Sequence, residues 1–320
     1  MRLMRFESLA AAVFAASALP LPAMSAPFAY ISNQLAETVS IVDTKSGKVA
    51  DTVAVKGKPA GVAVSPDGRR IYVSAPESGS IAAIDAETRK IVKEAKVSSG
   101  ALGVAVDLTG KRLFVADWYQ NIVTVLDADS LQAINTITVG QSPSGLAVSP
   151  DNRWLYVANR LSDSVSKIDL EHLTVAATVK VGAHPFGLAV DSEGRRIYTA
   201  NVESDDVSVI DAASMKVTAT VKVQSRPYAA AFALNDSRLL VTNQDSDSVS
   251  VIDTAELKEY AVLDVGGKPE GISTHQDDRH VYVANWFDGT VSVIDAKSLR
   301  VVDTIKTGDG SRAFGQFIAK

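Results

Sequence analysis

A short apolar run ending in aspartate returns seven times at a fixed interval: Val-Ser-Ile-Val-Asp43, Ile-Ala-Ala-Ile-Asp85, Val-Thr-Val-Leu-Asp127, Val-Ser-Lys-Ile-Asp169, Val-Ser-Val-Ile-Asp211, Val-Ser-Val-Ile-Asp253 and Val-Ser-Val-Ile-Asp295. Each step is 42 residues, and a second ladder keeps the same step through Tyr30, Tyr72, Phe114, Tyr156, Tyr198, Leu240 and Tyr282. Residues 27–320 number 294, seven times 42, so no insertion interrupts the array. A chain built this way must fold as stacked copies of one small unit.

Inside one period the runs Gly145-Leu-Ala-Val-Ser, Trp154-Leu-Tyr-Val-Ala, Val165-Ser-Lys-Ile-Asp and Val175-Ala-Ala-Thr-Val-Lys-Val read as short strands, separated by turn residues such as Pro150-Asp-Asn152. Turns every 8 to 12 positions and β-branched runs leave no helical stripe. Four short antiparallel strands per period define a propeller blade, and the fold class expected is an all-β, seven-bladed β-propeller. The innermost-strand motif (Pro59-Ala-Gly61, Ala101-Leu-Gly103, Pro143-Ser-Gly145, Pro185-Phe-Gly187, Pro227-Tyr-Ala229, Pro269-Glu-Gly271) occurs six times, one short of the other strands. Ser311-Arg-Ala-Phe-Gly-Gln-Phe-Ile318 stands on the same register. It is expected to pair with the strand around Phe28 to Ser32, closing the ring and removing both free sheet edges.

Residues 1–26 differ from the rest. Arg2 and Arg5 precede an 11-residue apolar run from Leu9 to Leu19, then small residues up to Ala26. This is the pattern of a secretory signal peptide, and the run falls short of the ~20 residues a membrane-spanning helix needs. The reading is a signal peptide over 1–26, one propeller domain over 27–320, no transmembrane anchor, a monomer, and a periplasmic or secreted setting. With no cysteine, no thiol can mispair there. Thirty-two Lys and Arg against 37 Asp and Glu, a net charge of -5, argues against a globally basic nucleic-acid binder.

The strand ends Tyr156-Val-Ala-Asn159 and Tyr282-Val-Ala-Asn285, the turn Ser65-Pro-Asp-Gly68 and the closing Ser311 to Ile318 segment resemble the YVTN-type bacterial β-propeller repeat family over the whole chain after residue 26. The resemblance implies the architecture and an envelope setting, with relatives in quinoprotein and cytochrome systems. Departures are local: Ala75 and Asp117 replace Asn, Leu240 replaces the aromatic, and blade three lacks the Pro.

Residues present in every blade read as requirements of the fold: the Asp43 ladder as turn closures, and Asn33, Asn159, Asn201, Asn243 and Asn285 as turn caps. Function is sought in residues that break the repeat, on the face where innermost strands begin and second-to-third-strand loops emerge. Flanking the Pro position, Lys58, His184, Arg226, Lys268 and Arg312 form a basic arc once the ring closes, with Phe186, Tyr228 and Glu270 beside it. Trp118, Tyr119, Trp286 and Phe287 replace polar residues in two loops of the same face. These twelve are the expected binding residues. The arc suits an anionic ligand, single-stranded nucleic acid or a quinone-type cofactor, unless it is paired with Glu270 and the acidic loops Glu203 to Asp206 and Asp245 to Asp247. The aromatics either stack on a ligand, anchor a protein or plug the channel mouth.

Enzymatic constellations are poor. His172, His275 and His280 map away from His184, so no histidine cluster forms a metal site, and no nucleophile elbow occurs. No catalytic residue, metal or cofactor is assigned. The expected function is a non-catalytic, exported binding platform for a partner protein or anionic ligand. The alternatives are a lactonase-like hydrolase or lyase at the channel mouth near His184, and a passive envelope component.

Overall fold

A computed structural model describes residues 28–319 of the chain. The signal-peptide reading lies outside these residues. The described residues form twenty-seven strands in seven sheets, six of four strands and one of three, arranged as the blades of one ring. Among the described residues no helix is long and apolar enough to cross a membrane.

The 42-residue step appears in the backbone as well as in the side chains. In blade four the second strand (Trp154–Asn159) pairs with the third (Ser164–Asp169) without a break from Trp154↔Asp169 to Asn159↔Ser164. The third and outermost strands slip by one residue between Lys167 and Ile168, and the same bulge recurs at Ile41/Val42, Ala83/Ile84, Val125/Leu126, Val209/Ile210, Val251/Ile252 and Val293/Ile294. A bulge adds local twist, and one per blade turns the solvent-facing outer strand against its neighbours. Second and third strands are buried almost throughout because a blade packs on each side of them, while outermost strands such as Lys90–Lys96 are mostly exposed.

Both polar ladders are structural. Each Asp of the Asp43 ladder closes the turn between third and outermost strands by accepting backbone N–H bonds, as Asp43 Oδ1 does from Lys45 (2.9 Å) and Ser46 (3.0 Å). The asparagines do something different from the turn caps expected. Each is fully buried and donates its amide to two side-chain oxygens of the third strand, as Asn159 does to Ser164 (3.2 Å) and Ser166 (2.9 Å). In blade three the change to Asp117 comes with Ile122 where a hydroxyl would stand, and the Asp117 carboxylate instead accepts from the N–H groups of Tyr119 and Gln120.

Glycine in the innermost strands answers a close approach. A Cβ on Gly61, Gly103, Gly145 or Gly187 would fall on the carbonyl oxygen of the next blade's innermost strand, at Leu102, Ser144, Phe186 and Tyr228 respectively.

Residues 311–319 close the ring, but not as a regular strand. They bridge the first strand (Phe28–Asn33) at Asn33↔Ser311 and Ala29↔Ile318. Between these points the segment kinks at Ala313 (φ 43) and Gly315 (φ 115) and swings toward blade two, where Val62 N donates to Phe314 O (2.8 Å) and Val64 N to Gln316 O (3.0 Å). The kink turns Phe314 inward, against Phe186 at 4.8 Å between ring centroids and Tyr228 at 5.9 Å.

Deleting residues 311–320 should lower the melting temperature by more than about 10 °C, because it removes the inner strand of blade one and uncovers two sheet edges; an unchanged melting temperature would contradict this closure. A second expectation concerns alkali. Burial pushes the phenols of Tyr30, Tyr72, Tyr156 and Tyr282 up to about 12, from an ordinary value of 10.0. Their neutral forms favour the fold, so this stabilisation is complete below the ordinary value and lost as pH rises through about 12. Phenolate absorbance from these residues should therefore grow in step with loss of the β circular-dichroism signal, not before it.

Candidate functional site

The basic arc is placed by a local backbone device. His184, Arg226 and Lys268 each take a left-handed conformation (φ 55, 56 and 53) just before an innermost strand. An aspartate from the preceding blade's loop holds each N–H: Asp163 to His184, Asp205 to Arg226 and Asp247 to Lys268, all at 2.8 Å. Lys58 shares the conformation (φ 59), and Ser142 (φ 50) is held in the same way by Asn121 at 3.0 Å. The backbone thus stands these side chains on one face, termed here the front face.

The acidic pairing weighed against an open arc is what the structure contains. Arg226 bridges Glu203 (3.0 Å) and Asp245 (3.5 Å), Lys268 pairs with Asp245 (2.7 Å), and His184 Nδ1 lies 3.8 Å from Glu203. Arg312 does not extend the arc at the surface. It sits 2.8 Å from buried Glu270 and donates to the Tyr228 hydroxyl at 2.6 Å, while Glu270 accepts from Gln244 at 2.9 Å. Burial pushes the Glu270 carboxyl up against the pull of the Arg312 guanidinium, and the same burial pushes the Tyr228 phenol up. Only Lys58, among the arc's side chains, forms no ion pair with the described residues.

The aromatic set divides in two. Phe186 stacks on Tyr228 (4.0 Å between centroids) and meets Phe314 and Trp118, the last at 5.9 Å, forming a plug across the front end of the channel. Arg160 covers the Trp118 ring at 5.4 Å, a contact the sequence reading missed. Trp286 is half-buried, donating to Gln34 at 3.0 Å. Tyr119 and Phe287, by contrast, are 70% and 74% exposed. They occupy a register of the 42-residue step whose seven members are Leu35, Glu77, Tyr119, Leu161, Glu203, Asp245 and Phe287. Leu35 (51%) and Leu161 (49%) are exposed too, and were legible from that register alone. The front face therefore carries apolar loop tips on blades seven, one, three and four, and carboxylates on blades two, five and six.

Behind the plug lies a cavity of about 520 Å³ that opens on the opposite, rear face between turns carrying Ser65, Leu108, Pro150, Ser192 and Asp236. Its walls are innermost strands and its front boundary is Phe314. His172, His275 and His280 lie on rear-face turns, the latter two beside Asp277. Among the described residues no group of three His, Cys, Asp or Glu is placed to hold a metal ion.

A ring of seven blades, the first completed by the C-terminal segment, plugged at one end and open at the other, defines a seven-bladed β-propeller. The chain belongs to the YNCE-like beta-propeller family, whose model matches residues 110–315. A Cytochrome D1 heme domain model matches residues 28–148. No curated protein matches the chain. Among solved structures, Kuenenia stuttgartiensis hydrazine synthase is similar at 22% identity over 79% of this chain and 88% of that one, with a TM-score of 0.73. A functionally unknown protein from Desulfotomaculum acetoxidans gives 12% identity, 90% and 99% coverage and a TM-score of 0.78. The dihydro-heme d1 dehydrogenase NirN in complex with DHE gives 18%, 89%, 75% and 0.67. These likenesses are of fold. A haem-type group does not fit the channel: no His, Met, Cys, Lys or Arg lines it to bind iron or to pair carboxylates, and its front end is filled by Phe314.

Truncating Glu270 to Ala should cost about 3–5 kcal/mol by leaving the Arg312 charge unpaired in a largely buried site, whereas Glu270→Leu with Arg312→Met should cost less than either single change. Thermal unfolding of these four variants beside the unmodified protein checks the order.

Proposed function

We propose that this protein is a non-catalytic binding platform that acts outside the cytoplasm as a single ring and docks a partner protein on its front face. The observation that carries the reading is the set of large apolar loop tips, Leu35, Tyr119, Leu161 and Phe287, each about half or more exposed on one face. Isolated exposed apolar residues are ordinary, but four on one register of one face are a surface built to be covered. Tyr and Phe are enriched at protein interfaces, and Tyr is among the residue types that most often dominate their binding energy. Beside the loop tips, over blades five to seven, Arg226, Lys268, Glu203 and Asp245 form a half-exposed ion-pair network, a polar margin that would orient a partner. The export signal read in residues 1–26 supports the setting.

An anionic ligand is supported less well, since Arg226, Lys268 and Arg312 already meet carboxylates. A lyase or lactonase at His184 is supported only by its half-exposed ring, whose Nδ1 makes no hydrogen bond and lies 3.8 Å from Glu203.

The mature protein, immobilised and exposed to a periplasmic extract, should retain a partner identified by mass spectrometry. Tyr119→Ser with Phe287→Ser should weaken that partner at least about tenfold, or about 1.4 kcal/mol, while Arg226→Gln should mainly alter its salt dependence. Retention unaffected by the aromatic changes, or binding of a single-stranded oligonucleotide lost on Arg226→Gln and Lys268→Gln, would overturn the protein-docking reading.

A further inference from the structure

The twelve residues singled out in the sequence all lie at the front face or in its plug, yet a cavity of about 520 Å³ opens at the rear. We infer that the rear channel is a second binding site, for an uncharged, largely apolar small molecule carrying a few carbonyl or hydroxyl groups.

Size comes first. A cavity of about 520 Å³ lies within the range of small-molecule sites, and at interior packing density it holds about 20 non-hydrogen atoms. The depth is set by Phe314, which the kink at Ala313 and Gly315 turns inward, so the channel ends as a blind pocket and is not a through-pore.

The walls decide the chemistry. Half-buried Ala105, Leu146, Ala147, Leu188, Ala230 and Ala231 present small or aliphatic side chains to the space. Asp236 is the one ionisable residue of the lining, and it stands at the mouth with a carboxylate oxygen accepting from Ser192 N at 2.6 Å. An anion inside would meet no counter-charge, and a cation only a carboxylate already engaged at the rim. Polar partners come from the backbone. The innermost strands of blades three to seven are the end strands of their sheets, and apart from groups taken by neighbouring segments, such as Gly271 N by Arg312 O (2.9 Å) and Phe232 O by Thr274 Oγ1 (2.6 Å), their free edges turn N–H and C=O groups toward the channel. In blade two the groups at Val62 and Val64 are taken by Phe314 and Gln316. A ligand with an apolar body and one or two carbonyl or hydroxyl groups satisfies such edges without bringing charge into the channel.

The mouth is also preformed. Its turns are tied blade to blade, by Leu108 N to Asn152 (2.9 Å), Ser192 N to Asp236 (2.6 Å) and Asn235 N to Asp278 (2.5 Å). A site held open in this way loses little ordering entropy on binding.

The test uses two dyes that differ by one sulfonate. N-phenyl-1-naphthylamine, uncharged and of suitable size, is titrated into the mature protein and followed by its fluorescence. Saturable binding of one dye per protein is expected. Its sulfonated analogue, 1-anilinonaphthalene-8-sulfonate, should bind at least about tenfold more weakly. Ala147→Trp and Ala231→Trp, from different blades, each fill the channel and should weaken the uncharged dye at least about tenfold with the β circular-dichroism spectrum retained. Tyr119→Ser with Phe287→Ser should leave it unchanged, which separates this site from the front-face surface. Absence of saturable binding, equal binding of the two dyes, or loss confined to the Tyr119 and Phe287 variant would overturn the proposal. The dye comparison needs no variant, so it holds even if one of the tryptophan substitutions fails to fold.

Discussion

A ring of blades has no stable partial form, because every blade needs both neighbours to bury its faces. Closure is therefore the constraint on which the rest depends, and here nine residues carry it. The 311–319 segment is bonded to blade one through Tyr30 N to Phe317 O (2.9 Å) and Arg312 N to Ser32 O (2.8 Å), to blade two through Val62 and Val64, and to blade seven through Gly271 N to Arg312 O (2.9 Å). Three blades thus meet on one stretch of chain. Its side chains add the Arg312 contact to Glu270 and Tyr228, which ties blades six and seven to the same point.

Much of this was readable from the sequence because the constraint is periodic. The step of 42 residues, the Asp turns and the missing seventh inner strand were all sufficient to give seven blades and their closure. What escaped were features without a composition signal. The bulge in every outermost strand leaves no mark, since its extra residue is as varied as Ala50, Thr218 and Tyr260. The asparagines looked like turn residues because Asn is common there, whereas the buried geometry sets each against two oxygens of the third strand.

The candidate site was legible in identity and less so in arrangement. Repeat-breaking positions near the innermost strands do gather on one face, as the register required. But whether Phe186 faces solvent or packs depends on Phe314, and Phe314 turns inward only because Ala313 and Gly315 adopt left-handed backbone. A single Gly is a weak signal for that. Likewise Arg312 reads as a surface cation until Glu270, 42 residues from both Tyr228 and Arg312, is seen to lie between them in the ring. The apolar loop tips Leu35 and Leu161 were passed over because Leu is unremarkable alone; only alignment on the register of Tyr119 and Phe287 makes them a set.

The plug gives the two ends of the channel different chemistry. On the front, the aromatic cluster and the Arg312–Glu270 pair fill the axis, so a partner there meets a broad surface of loop tips and ion pairs, suited to a macromolecule. On the rear, the same Phe314 side chain forms the end of a narrow apolar pocket, suited to a small molecule. The two sites share one physical element, the kinked closing segment: its backbone completes the ring, one side chain of it ends the rear pocket, and the residue two positions earlier anchors the front plug. The Phe314 ring thus stands between the two ends, lining the rear pocket while packing on Phe186 and Tyr228 in front at centroid distances under 6 Å.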